Sequence, residues 1–173
     1  MDLASTIRNV PDFPKKGVVF RDITTLLKNK DALHLSLDML YDHYKNERID
    51  KVVGIESRGF ILGAALAIKL GAGFVPIRKP GKLPAEKVRQ EYQLEYGSDA
   101  IEVHRDAIGK GERVLIHDDL LATGGTILAA SKLVEQLGGT IVGLSFLIEL
   151  SFLQPRKRLA QYNIFSLITY DRE

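Results

Sequence analysis

The chain has 173 residues, 45% hydrophobic and 27% charged, enough apolar material for the core of one globular domain. Lysine plus arginine exceed aspartate plus glutamate by 24 − 22 = 2, so charge alone makes no case for a nucleic-acid or membrane partner. Cysteine is absent from the sequence, which excludes disulfides and thiolate chemistry and fits an intracellular protein.

Residues 1–8 lack the basic and apolar regions of a secretory signal, and no apolar run approaches the ~20 residues of a membrane helix. A soluble, cytoplasmic protein is expected. Residues 10–25 form an irregular segment with Pro11, Pro14 and Gly17, in which Val18-Val19-Phe20 is a short extended candidate before Arg21 and Asp22. A helix is expected over 31–46, capped by Asp31, with Leu33, Leu37, Leu40 and Tyr44 along one face. His34 and His43 in it read as ordinary helix residues without a catalytic role.

A strand over 51–55 leads through Glu56-Ser57-Arg58-Gly59 into an apolar helix over 60–70. Ser57 reads as an N-cap and Arg58 as a surface charge, unless the arginine grips phosphate at the mouth of a parallel sheet. Gly71-Ala72-Gly73 punctuates the helix. It is not a dinucleotide fingerprint, because Pro76 stands where the third glycine belongs, and Gly81-Lys82-Leu83 fails the Walker pattern. A third strand over 74–77 contains Pro76, which argues for an edge or irregular position. Residues 79–97 are polar and cationic, as a solvated loop, a hairpin or a functional lid would be. Ile101 and Val103 alternate with Glu102 and His104 as in a half-exposed strand.

The most informative stretch is Val114-Leu115-Ile116-His117-Asp118-Asp119-Leu120-Leu121-Ala122-Thr123-Gly124-Gly125-Thr126. Its first three residues read as a buried strand. From Thr126 onward Ile127, Ala130, Val134 and Leu137 recur at helical spacing, up to Gly138-Gly139. The loop between lies where open α/β sheets bind ligands. Glycines let the backbone approach a ligand, unpaired helix N–H groups favour an anion, and threonine hydroxyls can donate to phosphate. Asp118 and Asp119 can accept hydrogen bonds from vicinal hydroxyls or face a metal. Phosphate beside a diol is what a ribose 5-phosphate presents. The plainer alternative is a strand–helix turn with an N-capping threonine. His117 before two aspartates suggests a metal site, but adjacent strand residues face opposite ways, so a hydrogen-bonded core histidine is expected. Residues 141–150 read as a strand buried on both faces, and 163–170 as a final strand.

The stretch "DDLLATGGT" resembles the phosphoribosyl pyrophosphate (PRPP) motif of the type I phosphoribosyltransferases, and most of all their adenine-using branch. "ESRGF", "GVVFRD", "RKPGKLP" and "LEYG" extend the likeness over nearly the whole chain. The resemblance implies an α/β fold over residues 1–173: a mostly parallel central sheet flanked by helices, a small N-terminal hood (mainly 8–25) and a flexible loop (about 79–97) over the site. It also implies transfer of ribose 5-phosphate from PRPP to adenine, giving AMP and pyrophosphate, in a homodimer with Mg²⁺ carried mainly by PRPP. By the same match, Asp118 and Asp119 hold the ribose, and Ala122, Thr123, Gly124, Gly125 and Thr126 the 5-phosphate. Arg58, Lys79 and Lys82 meet pyrophosphate, while Val19, Phe20 and Arg21 meet adenine. Glu95 is the acid/base at N7, and Tyr96 packs beside the reaction centre. A non-proline cis peptide near Ser57 would be in keeping with the family. No metal-ligand residues are implied. Another base, or a PRPP-binding regulator without catalysis, is the alternative; a regulator would be expected to carry a DNA-binding region and a basic face. Two positions depart from the family pattern: His117, and Gln154-Pro155-Arg156, where relatives commonly have a glycine before the arginine.

Overall fold

The computed structural model describes residues 1–94 and 97–173. Glu95 and Tyr96, the acid/base and packing residues implied by "LEYG", lie outside the described residues.

The centre is a five-stranded sheet in the order β4-β3-β7-β8-β9. Its strands are β3 (Lys51–Ile55), β4 (Gly73–Ile77), β7 (Arg113–Leu121), β8 (Thr140–Leu150) and β9 (Ile164–Tyr170), all paired in parallel. Two antiparallel ribbons lie outside it: β1 (Arg8–Val10) with β2 (Phe20–Asp22), and β5 (Lys87–Gln93) with β6 (Ser98–His104). The helices are α1 (Thr24–Leu27), α2 (Lys30–Tyr44), α3 (Gly59–Leu70), α4 (Gly125–Gln136) and α5 (Pro155–Arg158).

Because strand side chains alternate, the sheet builds two cores. Val52, Leu115 and Leu147 pack with Leu40, Leu62 and Leu66 of α2 and α3. Val53, Ile116 and Phe146 pack with Ile127, Ala130 and Val134 of α4, and with Val88, Ile101 and Val103 of the β5–β6 ribbon. The ribbon thus covers one face of the sheet. That is why β6, expected to be half-exposed, is buried from Ala100 to Val103, including Glu102, whose carboxylate accepts from the Gly81 N–H.

Three sequence-based boundaries move. The cap of α2 is Asn29, whose side chain accepts from Asp31 and Ala32 N–H, while Asp31 becomes the first-turn carboxylate. The region 79–97 is only partly loop, since β5 pairs with β6 up to Gln93↔Ser98. Most consequentially, β7 does not stop at Ile116. It runs through both aspartates to Leu121, because β8 continues far enough to pair with Leu120 and Leu121. Pro76 sits in β4, an edge strand of the sheet, as its missing N–H requires.

β3 leads through α3 to β4 on one side, whereas β7 leads through α4 to β8 on the other. The order therefore reverses between two adjacent strands, and a crevice opens at their C-terminal ends.

Candidate active site

Two loops meet at that crevice. The first follows β3. The Glu56–Ser57 peptide is cis, and α3 starts at Gly59 with Arg58 as N-cap and no side-chain capping bond. Ser57 is therefore not the cap. A Cβ on Gly59 would lie 2.9 Å from Asp118 Oδ1 and 3.0 Å from the His117 carbonyl oxygen. Only glycine lets the start of α3 sit this close to β7. Glu56 is fastened sideways: its carboxylate accepts from the Lys79 N–H at 2.9 Å and from Arg78 Nε at 3.2 Å. Burial pushes its pKa up, but these donors outweigh it and hold the carboxyl below its usual value.

The second loop, 122–124, follows β7. Gly124 has φ +83° and is the N-cap of α4, again without a side-chain capping bond. No threonine caps this helix, so the plainer reading of the motif fails. The first N–H groups of α4 are left for a ligand instead. Residues Ala122, Thr123, Gly124, Gly125 and Thr126 line a hollow of about 80 Å³ with Asp118, Leu120, Leu121 and Ile127.

Beside it lies an open cleft of about 460 Å³, lined by Glu56, Ser57, Arg58, Lys79, Asp118, Asp119 and Leu120. Asp118 borders both spaces. Arg58 Nε stands 2.8 Å from Asp119 Oδ2, yet without the alignment of a hydrogen bond, so that buried oxygen has no hydrogen-bond partner among the described residues. Burial, then the Asp119 charge, pushes Asp118 well above the ordinary carboxyl range. Burial also raises Asp119, with the Arg58 charge pulling it back. Burial thus raises both carboxyls, and the Arg58 charge opposes the rise at each.

The hood meets this cleft through Phe20, whose ring lies 5.2 Å from the Arg58 guanidinium carbon and edge-on to Phe13. Val19, half-exposed, precedes it. Arg21 does not join them. Alternation along β2 turns it to the opposite face, where it is buried against the Tyr170 ring at 4.0 Å and donates to Asn9 Oδ1 at 2.6 Å. Asp22 is structural, bound by Arg8 and by Thr24. Lys79 lines the cleft, whereas Lys82 is exposed and is not among the lining residues, although its charge reaches Glu56.

His117 is fully buried on the α3 side, with Nδ1 3.2 Å from Ser145 Oγ and Nε2 unpartnered among the described residues. Burial lowers its pKa to about 4, so it is a neutral core residue. A hollow of about 450 Å³, bordered by His43, Tyr44, Arg156 and Phe165, contains none of the candidate site residues. Sequence reasoning passed over Glu56 and Gly59. For Glu56 the available signal was its place directly before Ser57-Arg58.

A family model described as "Phosphoribosyl transferase domain" matches residues 22–171. The adenine phosphoribosyltransferase of Solibacter usitatus (strain Ellin6076) is 60% identical over 171 residues, covering 99% of each chain. The chain belongs to the adenine phosphoribosyltransferases. Among solved structures of that family, the enzyme from Thermoanaerobacter pseudethanolicus superposes with a TM-score of 0.95 at 53% identity, covering 98% of each chain. The Giardia lamblia adenine phosphoribosyltransferase complexed with 9-deazaadenine gives 0.93 at 42% identity, covering 99% of this chain and 97% of that one. The adenine phosphoribosyltransferase family thus matches this chain over nearly its full length, and the type I fold is the one described above.

Proposed function

We propose that this protein transfers ribose 5-phosphate from PRPP to adenine, giving AMP and pyrophosphate, with residues 1–173 acting as one catalytic domain. The observation that carries this reading is the position of Asp118, which borders both the small phosphate-sized hollow and the larger cleft. A ribose placed there has its 5-phosphate in the loop 122–126 and its C1 pyrophosphate toward Arg58 and Lys79. The relative crystallised with 9-deazaadenine supports the choice of base.

In the reaction the C1–O bond breaks and pyrophosphate leaves with its electron pair, while adenine N9 forms the new bond to C1. Positive charge develops on the sugar and negative charge on the leaving group, so positioning and electrostatic stabilisation dominate. Asp118 and Asp119 hold the ribose hydroxyls and lie near the developing cation. Arg58, Lys79 and, from its nearby loop, Lys82 stabilise pyrophosphate. Phe20 and the Val19 backbone receive adenine, and Glu95 manages the proton at N7. Arg21 acts behind this surface, holding the hood strand against Tyr170.

Among the described residues no three His, Cys, Asp or Glu side chains gather as a metal cage, and Glu56 and Asp119 already face cations. The cleft carboxylates are hard oxygen donors, which would suit magnesium held mostly by substrate oxygens and water. When bound, magnesium neutralises charge on the leaving pyrophosphate. The reading includes a homodimer in the cytoplasm; no described helix is long and apolar enough to cross a membrane.

The test is pyrophosphate release from PRPP and Mg²⁺, with adenine, hypoxanthine, guanine, xanthine and orotate offered separately. Release with adenine alone is expected. Release with another base overturns the hood assignment, and PRPP binding without release by any base points to a regulator.

A further inference from the structure

Helix α5 packs against the phosphate loop. A Cβ on Gly124 would meet Leu159 Cδ1 at 3.2 Å and Pro155 Cβ at 3.6 Å, and both of those residues are buried. From the same turn Arg156 grips the buried Glu149 carboxylate, which anchors α5 to β8. Arg158, two residues on, points elsewhere. Its Nη1 lies 3.1 Å from where a Gly125 Cβ would stand. It is exposed, and it has no hydrogen-bond or ion-pair partner among the described residues.

Helix side chains lean toward the N-terminus, so the space that a Gly125 side chain would fill flanks the mouth of α4. The Arg158 guanidinium stands there instead. Gly125 borders both the phosphate-sized hollow and a second one of about 260 Å³ that Arg158 lines. A residue without a side chain is thus all that lies between the guanidinium and the first hollow. That hollow is poor in positive charge: no lysine or arginine lines it, while Asp118 does. A phosphate monoester carries about −1.5 to −2 charges at pH 7. The α4 N–H groups and the threonine hydroxyls meet it with partial charges only.

We propose that Arg158 is the cation of the 5-phosphate subsite. Its guanidinium passes over Gly125 and donates to a phosphate oxygen, supplying the full positive charge that the loop 122–126 lacks. Glycine at 125 leaves the path open, and the Arg156–Glu149 pair fixes the turn from which Arg158 reaches. The 5-phosphate lies far from the breaking C1–O bond and keeps its charge throughout the reaction. The contact is therefore the same in the ground state and the transition state, and it acts on binding rather than on the chemical step. The inference rests on the loop 122–126 being the 5-phosphate subsite, as proposed above.

The test is calorimetric titration of the full chain with ribose 5-phosphate at several salt concentrations. Arg158→Gln should raise the Kd roughly tenfold, the low end for a hydrogen bond between charged groups because the arginine is exposed. Arg158→Lys keeps the charge and should recover most of that loss. Added salt should weaken binding less steeply in Arg158→Gln than in wild type, since one screened charge is gone. In turnover, Arg158→Gln should raise the KM for PRPP and leave kcat within about twofold. A residue that only braced the loop would shift affinity without changing the salt dependence. An unchanged Kd in Arg158→Gln, a lysine variant no better than the glutamine one, or parallel salt dependences each overturn the inference. Thr126→Val separates the two readings. If it binds ribose 5-phosphate less well than wild type while Arg158→Gln does not, the phosphate subsite stands and only the role of Arg158 falls. If Thr126→Val binds as well as wild type, the subsite reading itself fails, and this inference with it.

Discussion

Residue by residue, the site sorts groups by what surrounds each carboxyl. Glu56 is pinned by donors, Asp119 is paired with a cation, and Asp118 is left to carry the cost of burial. Glu95 differs in kind, since nothing but the likeness of "LEYG" singles it out from 22 acidic residues. Glu95→Gln should lower kcat about 100-fold, the usual scale of general acid–base catalysis, while the Kd for PRPP stays within about twofold. Wild-type turnover in that variant would remove Glu95 from the mechanism. His117 supplies a different test. Its folded pKa of about 4 lies below the ordinary 6.5, so between those values the unfolded chain binds the extra proton. Stability is therefore full above pH 6.5 and is lost as pH falls toward 4, by about 3 kcal/mol in all. Urea midpoints at pH 7 and pH 4.5 should separate in wild type and draw together in His117→Gln.

At the level of elements, periodicity did most of the work of reading. The α2 face and the β3–α3 and β7–α4 successions were legible because apolar spacing is set by the chain's own geometry. What escaped was set by partners far away in sequence. β7 extends through Asp118 and Asp119 only because β8 is there to pair with it, and the β5–β6 ribbon depends on a pairing that charged side chains such as Lys87, Arg89 and Glu91 disguise. The turn before α5 was flagged as a departure, and it proves distinctive. Gln154 has φ +54° and ψ +43°, a left-handed conformation that a side chain disfavours, immediately before Pro155 at the first helical position. Beyond it, Arg156 grips the buried Glu149 carboxylate with bonds of 2.7 and 2.8 Å. Gln154→Gly should raise stability by about 0.5–1 kcal/mol, the gain from relieving the left-handed residue less the added chain entropy. A lower melting temperature in that variant would show that the side chain, not the backbone, governs the turn.

For the molecule as a whole, the division of labour is uneven. The carboxylates stand on β7, flanked by strands on both sides in the middle of the sheet. The aromatic wall comes from the β1–β2 ribbon, and the β5–β6 ribbon covers one face of the sheet; each is a two-stranded unit outside the central sheet, the second joined to it by the Arg78↔Glu102 bridge. A two-stranded ribbon depends for its stability on what it packs against, and local opening costs less than global unfolding wherever such packing is thin. Heating should therefore silence the enzyme before it melts it. Reversible loss of AMP formation is expected several degrees below the calorimetric transition, with far-ultraviolet dichroism intact at that point. Coincident curves would mean that the ribbons and the sheet unfold as one cooperative unit. A growth temperature, on this account, would be limited by the weakest ribbon, and selection for heat tolerance would act on residues such as Phe13 and Phe20 long before it touched Asp118.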